Sequence, residues 1–423
     1  MKIKYSSITK FLICILVLMH LCFFLIPLSG TAMFSTSYIP KTRMFLFLVL
    51  VAFSVIFSIV YTRSDANRVA KFEMLLLGVC WVRAIVGALQ TGNAWDDTLA
   101  MVWPYLYMII AIPLINIFCA NKWKPKKAAK FLVIATSIDT LIKAFMSFYE
   151  SKTGVMLWPN LVSGEMGYRN GLHRINPSAL SILVIPLSFW LISKATSKRE
   201  KLTYIITILI DFLYAYIIWQ ARSALLYKTI IIIMMLFLQQ TNDKKKIVMA
   251  FMLMVGAVVL INTPTFNSFI DSFSESNKMY GNSTVARINA YAYYGAMYSK
   301  SPFWGIGRLT TSERYALGGG MLEDIGFFYG LVQFGIPMVS FYIFMFFRGI
   351  YVSIKLRRKN MADSLLCLSM TLLFIMFGVN MDPFYAFALA LPFYMAFVEF
   401  VRWNNVKNNK WDKRNICQKW RKR

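Results

Sequence analysis

Long apolar segments alternate along the whole chain with short segments rich in lysine and arginine. Each apolar segment has roughly 17 to 25 residues, the length that an α-helix needs to cross the hydrocarbon core of a bilayer. About twelve membrane spans are therefore predicted, near residues 9–28, 43–61, 70–90, 99–119, 129–149, 177–193, 202–220, 223–240, 246–262, 325–347, 362–380 and 383–401. The pattern predicts an all-α protein, a polytopic integral membrane helix bundle in which residues 1–423 form a single transmembrane domain.

The connections between the predicted spans decide the orientation of the chain. Most of the 46 lysines and arginines fall in alternate connections and in the C-terminal segment. Cytoplasmic connections of membrane proteins carry this excess of positive charge. The pattern therefore predicts that both termini are cytoplasmic, that 402–423 is a basic cytoplasmic tail, and that 150–176 and 263–324 are outer loops. The longer outer loop is predicted to contain short helices.

Composition agrees with a membrane protein and argues against other classes. Hydrophobic residues make up 58% of the chain and charged residues 15%, which is more apolar surface than a soluble domain needs. The net charge of +27 does not indicate nucleic-acid binding, because the cations lie between apolar segments and not on one soluble domain. The first apolar segment is long and no small-residue cleavage site follows it, so an uncleaved span is favoured over a signal peptide.

Metal, disulfide and nucleotide sites lack the residue patterns that they need. The six cysteines include no C-x-x-C pair, and the two histidines are isolated from each other. The glycine run 318–320 lacks the strand-turn-helix setting of a nucleotide-binding loop. We therefore expect no metal and no cofactor.

Three cations fall inside predicted spans, in the halves that face outward: Arg83, Lys143 and Lys228. A charge within the bilayer costs about 2.5–3.5 kcal/mol on insertion scales, and it usually marks a polar cavity. Long cationic side chains can also extend to the outer headgroups. With the outer-loop arginines, the three cations favour an outward-open basic cavity for a phosphate or diphosphate. Asp139, four residues before Lys143, is expected to pair with it, and Asp211 is a candidate partner for a membrane cation.

The longer outer loop carries a predicted helix, from a cap near residue 283 to about residue 299. One face of this helix presents, at helical spacing, Arg287, Tyr291, Tyr294 and Tyr298. Tyrosine rings stack on sugar faces, so this face is a candidate glycan-binding surface. The same spacing is typical of an amphipathic helix that lies on the bilayer with an aromatic belt, and both interpretations stand.

Two acids, Glu323 and Asp324, precede the predicted tenth span, and a tight turn is predicted at PFWGIG, residues 302–307. Acids at the start of a helix commonly compensate its dipole. They can also act as a general base at the outer mouth of a cavity. The spacing alone does not choose between these two roles.

The order of motifs over residues 165–340 resembles that of a known family. The helix TVARINAYAYY is followed by SPFWGIG, a polar stretch, and an acid at the head of an apolar helix that ends in FGIP. This order is similar to that of the O-antigen ligase and repeat-unit polymerase superfamily, of the Wzy type. WQARSA and GLHRINPSAL also resemble outer motifs of that family. The family has a His or an acid about eleven residues before a closing glycine, and Asp324 stands in that position relative to Gly335.

The resemblance implies a metal-independent glycosyltransferase that acts on the outer face of the cytoplasmic membrane of a bacterium. One polyprenyl-diphosphate-linked glycan is the donor, and a hydroxyl of a second one is the acceptor. Carried onto this sequence, the resemblance assigns the base to Asp324, with Glu323 as the alternative. It assigns binding of the leaving diphosphate to four arginines: Arg287, Arg222, Arg174 and Arg169. Arg287 is also assigned a catalytic role.

One departure from the family pattern bears on the reaction. The ligase branch carries His at the position of Asp324, and no His occurs in this loop. We therefore expect a polymerase that joins repeat units into a capsule, an exopolysaccharide or O-antigen. The alternatives are ligase-like transfer of a finished glycan, or a lipid-linked glycan flippase or transporter. Expected partners are the two lipid-linked glycans, the bilayer, and a chain-length regulator and flippase of the same pathway, with no nucleic acid.

Overall fold

Helices form nearly all of the regular structure in the described part of the chain. The computed structural model describes residues 5–21, 66–90, 104–105, 107–157, 168–169, 171–239, 281–307 and 322–421. The helices are α1 (Tyr5–His20), α2 (Ala66–Gln90), α3 (Ala111–Cys119), α4 (Pro125–Thr153), α5 (Ser181–Lys194), α6 (Lys198–Tyr214), α7 (Arg222–Gln239), α8 (Gly281–Tyr298), α9 (Phe327–Phe334), α10 (Ile336–Leu356), α11 (Met361–Gly378), α12 (Pro383–Ala386) and α13 (Ala390–Arg421). Strands β1 (Tyr168–Arg169) and β2 (Leu172–His173) form one short antiparallel hairpin.

Five of the described helices are long and apolar enough to cross a membrane. They are α4, α6 with the π-helical turn that continues it to Trp219, α7, α10 and α11. The protein is therefore an all-α multi-pass membrane protein, as predicted. The number of spans and their orientation stay predictions, and the predicted spans 43–61 and 246–262 lie outside the described residues.

Sequence signals at the helix ends explain where several helices begin and stop. Ser197 caps α6 by accepting a hydrogen bond from the Glu200 amide, and the Glu200 side chain accepts one from the Thr196 amide. Asn360 caps α11 by accepting from the Asp363 amide. Helix α4 ends at Gly154, which has a φ of 70° and donates to a carbonyl four residues back.

The core lies where α5 is enclosed by neighbouring helices. Residues 181–191 of α5 are all buried, and α5 packs against α4, α6 and α11. Helix α11 in turn packs against α7 and α10, and α13 packs against α3. Two polar side chains in this core, Ser188 and Thr207, are hydrogen-bonded to each other at 2.9 Å.

The predicted tenth span, 325–347, is wrong in its boundaries. The structure has a short helix α9, a break at Gly335, and then α10 from Ile336 to Leu356. Gly335 has a φ of 67°, and a Cβ there would lie 2.2 Å from the Phe303 carbonyl oxygen. Because only glycine fits this position, continuous apolar sequence does not give a continuous helix.

The predicted twelfth span, 383–401, is also wrong in its boundaries. Helix α12 ends after four residues, and α13 then runs without a break from Ala390 to Arg421. Most of the segment 402–423 therefore continues the last helix, and its place as a basic cytoplasmic tail stays a prediction.

Two buried ion pairs account for two of the three cations in predicted spans. Lys143 pairs with Asp139 at 3.1 Å, which confirms the predicted pair. Lys228 pairs with Asp211 at 2.8 Å, and both side chains are almost completely buried. The prediction that Lys143 and Lys228 belong to an outward-open basic cavity is therefore wrong, because each already has a carboxylate partner among packed helices.

Candidate functional site

Two of the predicted diphosphate-binding arginines contact one turn: Arg169 lies in β1, and Arg174 directly follows β2. Arg169 Nη1 donates to the Gln220 carbonyl at 3.0 Å, and Gln220 Nε2 donates back to the Arg169 carbonyl at 3.1 Å. Arg174 Nε donates to the Trp219 carbonyl at 2.9 Å. Arg222 begins α7 just after this turn, so the structure brings three of the four arginines to one place.

The shape of the turn explains why its carbonyls are available to the arginines. The end of α6 widens into a π-helical turn, Ala215–Trp219, and Gln220 follows with a φ of 50°. These changes end the helical hydrogen-bond pattern and leave the last carbonyl groups without helical donors. The guanidinium groups of Arg169 and Arg174 fill that role.

The fourth arginine, Arg287, lies on α8 in a separate group with Asp324. Helix α8 runs over residues 281–298, which confirms the helix predicted in the outer loop. The Arg287 guanidinium interacts electrostatically with Asp324, Tyr291 and Tyr227. Its Nε is buried and makes no hydrogen bond to any residue in the described part of the chain. A buried N–H of this kind is a strong candidate donor for a ligand.

Asp324 lies in a 3-10 turn, Leu322–Ile325, that precedes α9. Burial raises the pKa of its carboxyl group above the ordinary Asp value, and the positive charge of Arg287 partly offsets that rise. A carboxylate with a raised pKa is a better proton acceptor. Glu323 lies in the same turn, and its side chain is outside the described residues.

An aromatic cluster connects the two groups. Trp219 stacks on Phe377 with 6.2 Å between ring centroids, and Tyr227 packs edge-on against the same ring at 5.3 Å. Asn380 Nδ2 donates to the Tyr227 hydroxyl at 2.7 Å. The turn that holds Arg174 and the tyrosine next to Arg287 therefore both pack on the C-terminal end of α11.

Packing against the protein buries part of the α8 face that was predicted to bind a glycan. Tyr291 is 43% exposed, and its hydroxyl donates to the Ile325 carbonyl at 3.3 Å. The hydroxyl of Tyr298 donates to the Pro302 carbonyl at 2.6 Å. Tyr294 is completely buried, which differs from the expectation that it contacts a glycan, because its side of α8 packs against the rest of the protein. Tyr291 and Tyr298 keep the predicted shared face, and both rings lie near Phe328.

The PFWGIG segment forms the predicted turn and is bound to the break between α9 and α10. The amides of Ile306 and Gly307 donate to the carbonyls of Val332 and Gln333, at 2.8 and 3.0 Å. The amide of Ile336 donates to the Phe303 carbonyl at 3.0 Å. These backbone bonds tie the segment after α8 to the segment that carries Asp324.

Arg83, the third cation in a predicted span, also contacts this segment. Its guanidinium donates a hydrogen bond to the Gly305 carbonyl at 3.4 Å.

A second polar cluster, which sequence reasoning missed, lies beside the hairpin. His173 Nδ1 is 3.1 Å from Glu150 Oε1, and the Tyr168 hydroxyl donates to the same oxygen at 2.9 Å. Ser147 donates to the His173 carbonyl at 2.6 Å. His173 ends β2 and immediately precedes Arg174, so this cluster holds the backbone next to Arg174. Nothing in the spacing of Glu150 and His173 along the chain indicates that they meet.

The comparisons with known proteins give no family. No protein-family model matches the chain, and no curated protein matches it. The resemblance to the O-antigen ligase and repeat-unit polymerase superfamily therefore stays a prediction. In the described residues, no group of three or more His, Cys, Asp or Glu side chains is placed to hold a metal ion.

The close contact between Gly335 and the PFWGIG segment gives a testable prediction. Gly335→Ala places a methyl group against the Phe303 carbonyl at a positive φ, so we expect the free energy of unfolding to fall by about 2 kcal/mol or more. Thermal unfolding of the purified protein in detergent measures this change. Gly295→Ala is the matched control, since beyond its chain neighbours and the local helix backbone no atom of the described residues lies within 4 Å of the added methyl group. Equal stability of the two variants would contradict the assigned role of Gly335.

The electrostatic contact between Arg287 and Asp324 gives a second prediction. Because the arginine lowers the pKa of Asp324, Arg287→Gln should raise that pKa further, whereas the charge-preserving Arg287→Lys should leave it near the wild-type value. Carbodiimide labelling of Asp324 across a pH series, followed by peptide mass spectrometry, reports the midpoint without requiring activity. The same midpoint in wild type and Arg287→Gln would show that the two groups do not interact.

Proposed function

We propose that the protein is a membrane glycosyltransferase that polymerises polyprenyl-diphosphate-linked repeat units into a surface polysaccharide. The reaction takes place on the outer face of the cytoplasmic membrane of a bacterium. The observation that carries the proposal is the Arg287 guanidinium, which lies next to a partly buried carboxylate and has a buried Nε with no hydrogen-bond partner in the described residues. An oriented guanidinium beside an acid of raised pKa suits a reaction in which a diphosphate leaves and a hydroxyl loses a proton.

The arginines stabilise the leaving group. As the bond between the anomeric carbon of the donor sugar and the diphosphate oxygen breaks, negative charge develops on the diphosphate. Arg287 supplies a planar, permanently charged guanidinium group that can bind the diphosphate oxygens. Hydrogen bonds from guanidinium to phosphate are charge-assisted and therefore strong. Arg169, Arg174 and Arg222 are assigned to the same leaving group. The bonds that Arg169 and Arg174 make to the α6–α7 turn hold their side chains in place, which supports preorganisation.

Asp324 is assigned as the general base. It accepts the proton of the acceptor hydroxyl while that oxygen forms the new glycosidic bond to the anomeric carbon of the donor. The raised pKa of its carboxyl group makes it a stronger base than an ordinary aspartate, and its carboxylate form is the one that acts. Glu323 is the alternative base in the same turn.

Tyr291 and Tyr298 are assigned to the glycan. They lie on the helix that also carries Arg287, so sugars bound there would extend from a diphosphate held by that arginine. Aromatic rings contact the apolar faces of sugars, and the half-exposed ring of Tyr291 is suited to that contact. Tyr294 contributes packing only.

Replacement of Arg287 with lysine tests the proposal. Lysine keeps the charge and loses the planar fork, so we expect polymer formation to fall about 10²-fold or more, at normal expression. The assay is complementation of a strain that lacks the gene, with the polysaccharide and the lipid-linked intermediates separated by length. Lys300→Gln is the control, because Lys300 is an exposed cation just beyond α8.

The intermediates that accumulate distinguish the reactions. A strain that lacks a polymerase accumulates single repeat units on the carrier, and this is the expected result. Long chains that remain on the carrier would indicate the ligase, and lipid-linked units trapped on the cytoplasmic face would indicate a flippase. Full-length, normally attached polymer in the null strain would exclude all three.

A further inference from the structure

A cavity of about 170 Å³ lies between the last turns of α10 and the middle of α13. It is far from Arg287 and Asp324, because those residues adjoin the other end of α10. At 1.5 Å per residue, the distance along α10 from Ile336 to Lys355 is about 28 Å, close to the thickness of a bilayer core. The lining side chains that matter for binding are Arg348, Tyr351, Lys355, Arg402 and Asn405.

The lining of this cavity carries net positive charge. Its three cations are Arg348, Lys355 and Arg402. The neighbouring carboxylate, Glu399, is shared between two of them: Arg348 Nε donates to one oxygen at 2.9 Å and Arg402 Nε to the other at 2.7 Å. The buried carboxyl group of Glu73 also lies nearby. When both Glu399 and Glu73 are counted as ionised, the three cations still outnumber the two carboxylates. The shared carboxylate also holds both guanidinium groups in fixed positions.

An exposed apolar stripe on α10 leads into the cavity. Ile343, Phe347 and Ile354 are each more than 60% exposed, and they lie on one face of the helix at spacings of four and seven residues. In a membrane-spanning helix such a face contacts acyl chains. The stripe continues from Phe347 to Tyr351, four residues further along α10, and Tyr351 lines the cavity and is 45% exposed, so cationic and apolar groups meet at one end of the span.

We propose that this cavity binds the phosphate of an anionic phospholipid headgroup in the inner leaflet, with an acyl chain along the α10 stripe. A free phosphate ion would use the cations alone, whereas a phospholipid uses the cations and the apolar surface together. The predicted orientation places this end of α10 at the cytoplasmic face, where basic pockets between helices bind anionic lipids. The proposal does not depend on the glycosyltransferase reaction, and either can fail alone.

Lipid competition on the full-length protein tests the proposal. The protein is exchanged into mixed micelles of phosphatidylglycerol and phosphatidylcholine, and native mass spectrometry gives the ratio of the two lipids that it retains. We expect wild type to prefer phosphatidylglycerol. Lys355→Gln should lower that preference about fivefold, the effect of one basic side chain near a membrane surface. Asn405→Asp, which places a negative charge in the cavity, should lower it further.

Lys201→Gln is the matched control, because it removes one exposed cation on the same predicted face, at the start of α6. It should retain the wild-type ratio. Equal retention of the two lipids by wild type would overturn the proposal, and so would an unchanged ratio in both cavity variants. Displacement of phosphatidylglycerol by millimolar inorganic phosphate, with the same dependence on Lys355, would reassign the cavity to a free anion and overturn the lipid assignment.

Discussion

A charge surrounded by apolar helices persists only when a partner compensates it, and this constraint organises the protein. Removing one partner of a buried pair typically costs about 3–5 kcal/mol, because the other charge is left without solvation. Lys143 and Lys228 each have a carboxylate within 3.1 Å. Their pairing separates the cations that stabilise the helix bundle from those that are available for a ligand. Arg287 has a buried Nε with no hydrogen-bond partner in the described residues, so it can donate to a ligand.

The backbone around Gly335 positions the candidate site within that bundle. Breaking the apolar segment at this glycine produces the short helix α9, and the break also provides carbonyl and amide groups that bind PFWGIG. The segment after α8 is thereby bonded to the segment that carries Asp324. Backbone bonds of this kind favour a preorganised arrangement of Arg287 and Asp324, which is what electrostatic stabilisation of a leaving group requires.

The parts that sequence predicted are those that depend on local spacing. Asp139 and Lys143 are one helical turn apart, so their pairing follows from the helix itself. The spacing does not identify the partner of Asp211, because Lys228 lies on the next helix and only packing brings the two together. Hydropathy missed the break at Gly335, because apolar composition continues through it. Periodicity placed Tyr294 on the same face as Arg287, but it does not reveal how much of that face packs against the protein.

The central claim is that Arg287 holds a diphosphate beside Asp324. An electron cryomicroscopy structure of the protein with a polyprenyl-diphosphate-linked glycan in a nanodisc tests it most directly. The account predicts phosphate density about 3 Å from the Arg287 guanidinium, with the sugar next to the diphosphate lying near Asp324. Density bound elsewhere, with Arg287 paired to a carboxylate of the protein, would contradict the account.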